Sequence, residues 1–268
     1  MTLRYGGPLC QPSARRSDGD GDGPGDADGD GDHQGDGPSA PAAAESTAGP
    51  RSVVARTQRG LESLYRVDTQ LDVTDFLVDG HGRGAAAPAR SPREQLLIRQ
   101  DGPDTLGVGL FLDQAAMDNL ERNDPALELG AHNFSDFCLV VEGVSHFVYF
   151  TLRAGANRPV SALELELQAE VDKFACCVLL SASRGGRAQR SSAEWSRGLY
   201  DEVTFAADLD EDERERYRTA NAEARRYAGA LARQFIDPGR LGDMLPELRR
   251  FYRMPLGEKR EHIARTAG

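Results

Sequence analysis

Two stretches of mostly apolar text carry ionisable residues at spacings that could do chemistry. In the first, NFSDFCLVVEGVSHFVYFTLR from Asn133 to Arg153, Glu142 and His146 stand four residues apart, with Arg153 seven further on. At about 100° per residue, these three fall in a narrow stripe roughly 80° to 120° from Phe134. Tyr149 flanks the stripe on one side and Leu139 and Phe150 on the other, so the charges are partly buried, and buried charges need partners. In the second stretch, Ser161 to Leu180, Glu166, Glu170 and Lys173 lie along one helix edge.

Carboxylates and an imidazole on two facing helices are the donors that helix bundles use to hold metal ions. They are also the groups of an acid/base pocket. The candidate set is therefore Glu142, His146, Glu166 and Glu170, as metal ligands or as an acid/base site between the two helices. Di-iron bundles take a Glu-x-x-His pair from each of two helices, whereas this core offers one histidine, at i,i+4 from Glu142. The structural alternative is that Glu142 orients His146 by a hydrogen bond while Glu166 and Glu170 pair with arginines. Like charges at i,i+4 cost a few tenths of a kcal/mol, about 0.2–0.5, so something positive belongs beside Glu166 and Glu170. Lys173, Arg153, an arginine from the C-terminal helices and a metal ion all qualify.

The remaining histidines, His33, His81, His132 and His262, read as solvated. No nucleophile elbow, phosphate-binding glycine loop, dinucleotide fingerprint or zinc-type Cys/His spacing occurs, so no cofactor is implied. A third candidate is a basic surface. From Arg214 onward there are thirteen Arg and Lys against seven Asp and Glu. Arg214, Arg218 and Arg225 recur near helical spacing, which suits a polyanion or a solvated face.

The elements that must position these residues follow from periodicity and turn chemistry. A helix is expected over Ser52 to Val67 and a strand over Gln70 to Asp79. The segment Gly80 to Pro92 reads as a loop. A hairpin follows, with Gln95 to Gln100 and Leu106 to Leu112 flanking Asp-Gly-Pro-Asp-Thr. A short helix is expected over Gln114 to Arg122. The two long helices come next, the first capped by Asn133 or Ser135 and the second by Ser161. Phe134, Phe137, Cys138, Val141, Val144, Val148 and Leu152 make the core face of the first; Leu163, Leu167, Val171, Phe174 and Val178 make that of the second. Arg184 to Ser192 reads as a polar loop. Asp208 or Asp210 caps a helix reaching Phe235, and Pro238 and Pro255 precede two more.

The first fifty residues stand apart. They hold eight Asp and one Glu against three Arg, about half of the net charge of −11, and have little apolar text. Such a composition cannot offset the entropy of ordering, so residues 1–50 are expected to be a disordered acidic tail. Their Asp-Gly repeats imitate a calcium loop, but the twelfth position, counted from Asp18 or Asp26, is Gly29 or Gly37 instead of Glu. Residues 51–268 are expected to form one mainly helical globular domain.

The fold class that results is α+β and predominantly α-helical: a small antiparallel hairpin or three-stranded sheet packed on a helical bundle, preceded by the acidic tail. Of the four cysteines, Cys138, Cys176 and Cys177 sit in apolar helical text without disulfide or metal spacing, as in a reducing compartment. No signal-peptide run and no stretch of 18 apolar residues occurs, so a soluble, cytoplasmic protein with no membrane partner is expected. Nucleic acid is disfavoured by the acidic balance. The functional expectation is a non-enzymatic interaction or regulatory domain with a protein partner or self-association. The alternatives are the Glu/His site and polyanion binding by the basic C-terminal helices.

Overall fold

Charge placed between two apolar helices has to be neutralised there, partly by side chains of the pair itself and partly by groups that other elements bring to the seam. The computed structural model describes residues 52–79, 92–102, 105–184, 190–203 and 209–267. The acidic tail, residues 80–91 and most of the Arg184 to Ser192 loop lie outside the described residues. Within the described residues, eight helices and a three-stranded sheet follow in the order α1 (Val53–Tyr65), β1 (Leu77–Val78), β2 (Glu94–Gly102), β3 (Thr105–Leu112), α2 (Gln114–Arg122), α3 (Phe134–Gly155), α4 (Ala162–Ser183), α5 (Ser192–Ser196), α6 (Glu211–Leu231), α7 (Leu241–Arg253) and α8 (Leu256–Thr266). The protein is thus predominantly helical with a small sheet packed on the bundle.

α3 and α4 form the centre. The helical wheel assigns α3 one core face, but the structure buries it nearly all round: Val140, Phe147, Tyr149 and Phe150 are as inaccessible as Val141 and Val144. By length and hydropathy α3 could cross a membrane, yet two thirds of its most apolar window is packed inside the fold. It is a core helix, hydrophobic on all sides because it is covered on all sides.

The caps depart from expectation once. Ser161 caps α4 by accepting from the Glu164 backbone N–H at 3.2 Å. Asn133 precedes α3 without a side-chain cap bond. Its amide instead ties down the preceding turn, accepting from Gly130 N at 2.9 Å and donating to the carbonyls of Asn123 and Glu128. α6 begins with a complete capping box, in which Asp210 and Glu213 exchange side-chain and backbone bonds. α8 follows Pro255 directly.

The hairpin β2–β3 forms in antiparallel register, with Leu96 opposite Leu110 and Ile98 opposite Val108. The strand expected over Gln70 to Asp79 shrinks to two residues that pair parallel to β3, so the sheet is mixed, in the order β1-β3-β2. The reason is local. Asp72 accepts from Thr74 N at 3.0 Å and caps a short 3-10 turn over Val73–Phe76, which takes those residues away from the extended state.

The sheet meets α3 at Gly143. A β-carbon there would lie 2.7 Å from Leu112 Cδ2 and 2.8 Å from Glu94 Cγ, closer than real contacts allow. Gly143 therefore lets β2 lie against α3, which brings Glu94 into the seam. Gly143→Ala is expected to destabilise by about 1–3 kcal/mol, the usual range for overpacking. In urea titrations this lowers the midpoint without changing the slope; an unchanged midpoint would show that the close approach is not required.

Candidate functional site

The seam between α3 and α4 holds two polar layers. The first contains all four residues singled out as ligands, but it divides them. Lys173 Nζ, on α4, lies 2.9 Å from Glu142 on α3 and 2.9 Å from Glu170 on its own helix. His146 lies between Glu94, at 3.3 Å from Nδ1, and Glu166, at 3.5 Å from Nε2. Arg216 from α6 approaches the other Glu166 oxygen at 3.9 Å. The positive charge that Glu166 and Glu170 require thus comes from Lys173, Arg216 and His146. Among the described residues, no three His, Cys, Asp or Glu side chains are grouped so as to hold a metal ion.

The electrostatics follow from this pairing. Burial disfavours charge on His146, but Glu94 and Glu166 outweigh it and raise the imidazole well above its ordinary pKa. The surroundings of the ring therefore favour its protonated form. Lys173 is likewise opposed by burial and held well above the usual range by Glu142 and Glu170. Glu142 gains enough from Lys173 and His146 to fall below the usual carboxylate range despite burial. Burial wins at Glu94 and Glu170, which are raised. The group sets Glu94, Glu142, Glu166 and Glu170 against Lys173, His146 and Arg216, with these side chains turned toward one another.

The second layer is one that pattern reading missed. Asp172 of α4, 1% exposed, accepts from Ser145 Oγ at 2.5 Å, from Gln168 at 2.7 Å and from the hydroxyl of Tyr65 on α1. Lys259 of α8, fully buried, donates to Gln168 Oε1 at 2.7 Å and to the Tyr149 hydroxyl at 3.0 Å. Arg153 belongs here, away from Glu142 and His146: it donates to Glu164 at 2.7 Å, to the Tyr149 hydroxyl at 2.6 Å and to the Met254 carbonyl at 2.8 Å. Burial pulls the Lys259 ammonium down to about 7 against the support of Glu164 and Asp172. Burial raises the Asp172 carboxyl to about 6 against its three hydrogen bonds.

His262, read from sequence as solvated, is 3% exposed and lies 2.5 Å from Glu247 on α7. The available signal was the spacing of Lys259, His262 and Ile263, which puts all three on the buried side of α8. Treating Lys and His as surface residues hid that stripe. Nothing in the local text of Glu94 marks it, because its partner His146 is 52 residues away on another element.

The expected basic surface on α6 is largely neutralised. Arg214 and Arg218 approach Glu211 at 3.2 and 4.0 Å, and Arg225 pairs with Asp201 at 2.9 Å. Arginines of another region carry no such partners. Arg66 after α1, Arg158 after α3 and Arg253 at the end of α7 are exposed, Arg249 is half-buried, and none has an ion pair among the described residues. No protein family, curated protein or solved structure matches this chain.

Two outcomes test the layers. Lys173→Met leaves the Glu142 and Glu170 carboxylates facing each other and is expected to cost roughly 3 kcal/mol, as when one member of a buried pair is removed. Adding Glu142→Gln and Glu170→Gln should recover most of it; a single-variant loss under about 1 kcal/mol in chemical denaturation would show that the clasp is not structural. For the second layer, a lysine at about 7 folded and 10.5 unfolded binds fewer protons when folded, so its contribution makes stability rise with pH across that window. Asp172, at about 6 folded against 3.8, binds more protons when folded, so its contribution falls as pH rises between those values. Lys259→Met should abolish the alkaline rise in a series of unfolding titrations and, because the Lys259 charge helps hold Asp172 down, extend the acid limb to higher pH.

Proposed function

We propose that this chain is a non-enzymatic interaction or regulatory domain that engages an anionic partner through an arginine face at the C-terminal ends of α1, α3 and α7. The observation that carries this reading is the contrast between the two sets of charges. Those between α3 and α4 are buried against one another, while Arg66, Arg158, Arg249 and Arg253 face solvent without carboxylate partners among the described residues.

Two of these arginines, Arg249 and Arg253, are held by backbone in place of carboxylates. Arg249 Nε donates to the Leu64 carbonyl at 2.7 Å, and Arg253 donates to the carbonyls of Arg249 and Tyr65 at 2.7 and 3.0 Å. They therefore sit at the negative end of the α1 dipole, which favours their charge. Desolvation and the neighbouring Arg66 and Arg253 charges lower the Arg249 pKa. Guanidinium groups crowded in this way repel, and an anionic partner relieves that repulsion. The nearby acids are engaged locally: Glu62 accepts from Gln58 and Thr69, and Asp68 from Gln70 N. The acidic N-terminal segment supplies one anion of suitable character within the same chain.

A metal-binding or acid/base role for Glu142, His146, Glu166 and Glu170 has less support, because Lys173 pairs with Glu142 and Glu170 and His146 stands between Glu94 and Glu166, while His146 Nε2 and Glu170 Oε2 have no hydrogen bond. Polyanion binding at Arg214, Arg218 and Arg225 is likewise weakened by their pairing with Glu211 and Asp201.

Fluorescence anisotropy with a labelled poly-glutamate peptide tests the reading on the full chain. Saturable binding that weakens with salt is expected. The variant Arg66→Gln/Arg249→Gln/Arg253→Gln should weaken it at least about tenfold, and Arg214→Gln/Arg218→Gln/Arg225→Gln should change it less than about twofold. Absence of binding at low salt, or equal losses in both variants, would overturn it.

A further inference from the structure

Two arginines of that face, Arg158 and Arg253, line an open pocket of about 140 Å³. Arg153, Arg158 and Arg253 form its basic side, and Val67, Leu152 and Tyr252 its apolar side. This volume is well below the roughly 300–1,000 Å³ of a site for a whole drug-sized ligand, so it suits a compact group.

Two of its residues carry buried polar atoms without a partner among the described residues. Tyr252, 5% exposed, has a hydroxyl with no hydrogen bond, and Arg153, 7% exposed, has an unpartnered Nε–H. Both are donors, as are the guanidinium groups of Arg158 and Arg253. Tyr252 is fixed in place by stacking on Tyr65 at 3.9 Å and by an edge contact with Tyr149 at 4.9 Å. Arg153 is fixed by Glu164, Tyr149 and the Met254 carbonyl. The Arg153 Nε–H and the Tyr252 hydroxyl are prearranged donors without acceptors, and with the charges of Arg158 and Arg253 beside them they favour an acceptor-rich anion.

We infer that this cavity binds a phosphoryl group, as free phosphate or as the head of an organic phosphate. Charge selects the phosphoryl group over a carboxylate. Glu164 balances Arg153, which leaves Arg158 and Arg253, two positive charges, to be met; a phosphate monoester carries about −1.5 to −2 at neutral pH. Planar guanidinium forks bind such oxygens in pairs. The apolar wall of Val67, Leu152 and the Tyr252 ring lies where the body of an organic phosphate would pack. The inference rests on the arginine face described above, but it does not require a polypeptide partner.

Isothermal titration of the full chain at constant ionic strength with inorganic phosphate, phenyl phosphate and acetate tests it, with thermal unfolding as a parallel readout. One or both phosphates should bind saturably and raise Tm, with acetate inactive. Tighter binding of phenyl phosphate identifies an organic phosphate as the source, and equal or tighter binding of inorganic phosphate identifies the free ion. Arg158→Gln and Arg253→Gln, both at exposed positions, should each weaken binding at least about tenfold, and Tyr252→Phe, which keeps the ring, several-fold. No saturable binding up to about 10 mM, acetate binding as well as phosphate, or unchanged affinity in both arginine variants would overturn the inference. Poly-glutamate contains no phosphoryl group, so its binding can persist when this test fails, and the two failures are distinguishable.

Discussion

The placement of Lys173 between Glu142 and Glu170 is the constraint on which the rest of the structure depends. Two carboxylates buried in the α3–α4 seam require a cation, and Lys173 reaches both at 2.9 Å. Once charge is admitted to the seam, every further group there needs a counterpart, and the counterparts come from distant elements. Glu94 arrives from β2 through the opening left by Gly143, Arg216 from α6, Tyr65 from α1 and Lys259 from α8. Buried ion pairs of this kind contribute little net stability over apolar packing, but removing one partner is costly. Their effect is to fix which helix meets which, because a shifted helix would strand a charge.

The same constraint separates two kinds of ionisable residue. Those in the seam face one another: their charges are set in opposite-sign contacts, which raise His146 and Lys173, while His146 Nε2, Glu170 Oε2 and Arg216 Nε have no hydrogen bond. Shifted pKa values often mark functional sites, but structural ion networks shift them as well. Those at the C-terminal ends of α1, α3 and α7 are not paired in this way. There Arg249 and Arg253 are anchored by carbonyls, and they, Arg66 and Arg158 are left without carboxylates among the described residues. The functional reading follows the unspent charges.

Much of this was legible in the chain. The helices at Phe134 and Ala162, the hairpin, and the stripe of Glu142 and His146 all follow from local periods, because each depends on residues three, four or two apart. The need for a cation near Glu166 and Glu170 was legible for the same reason. What was not legible depends on long-range pairing. Tyr65 and Asp172 are 107 residues apart, and Lys259 and Gln168 are 91 apart. The spacing of Lys259, His262 and Ile263 marks the buried side of α8, but no local pattern names Gln168 and Tyr149 as the partners of Lys259. The single core face read for α3 was too narrow, since a wheel reports amphipathicity and cannot count how many elements pack round a helix. Arg153 fell on the same stripe as His146, yet a separation of seven residues, two helical turns, carries it into a different layer.

The central claim is that the seam is neutralised by the protein's own side chains. Elemental analysis of protein purified without a metal-affinity tag, combined with thermal unfolding in added divalent ions, tests it most directly. The account predicts transition metal well below one equivalent and no shift in Tm for the wild type. Near-stoichiometric metal, or a metal-dependent rise in Tm that His146→Ala abolishes, would contradict it and make Glu142, His146, Glu166 and Glu170 a metal site.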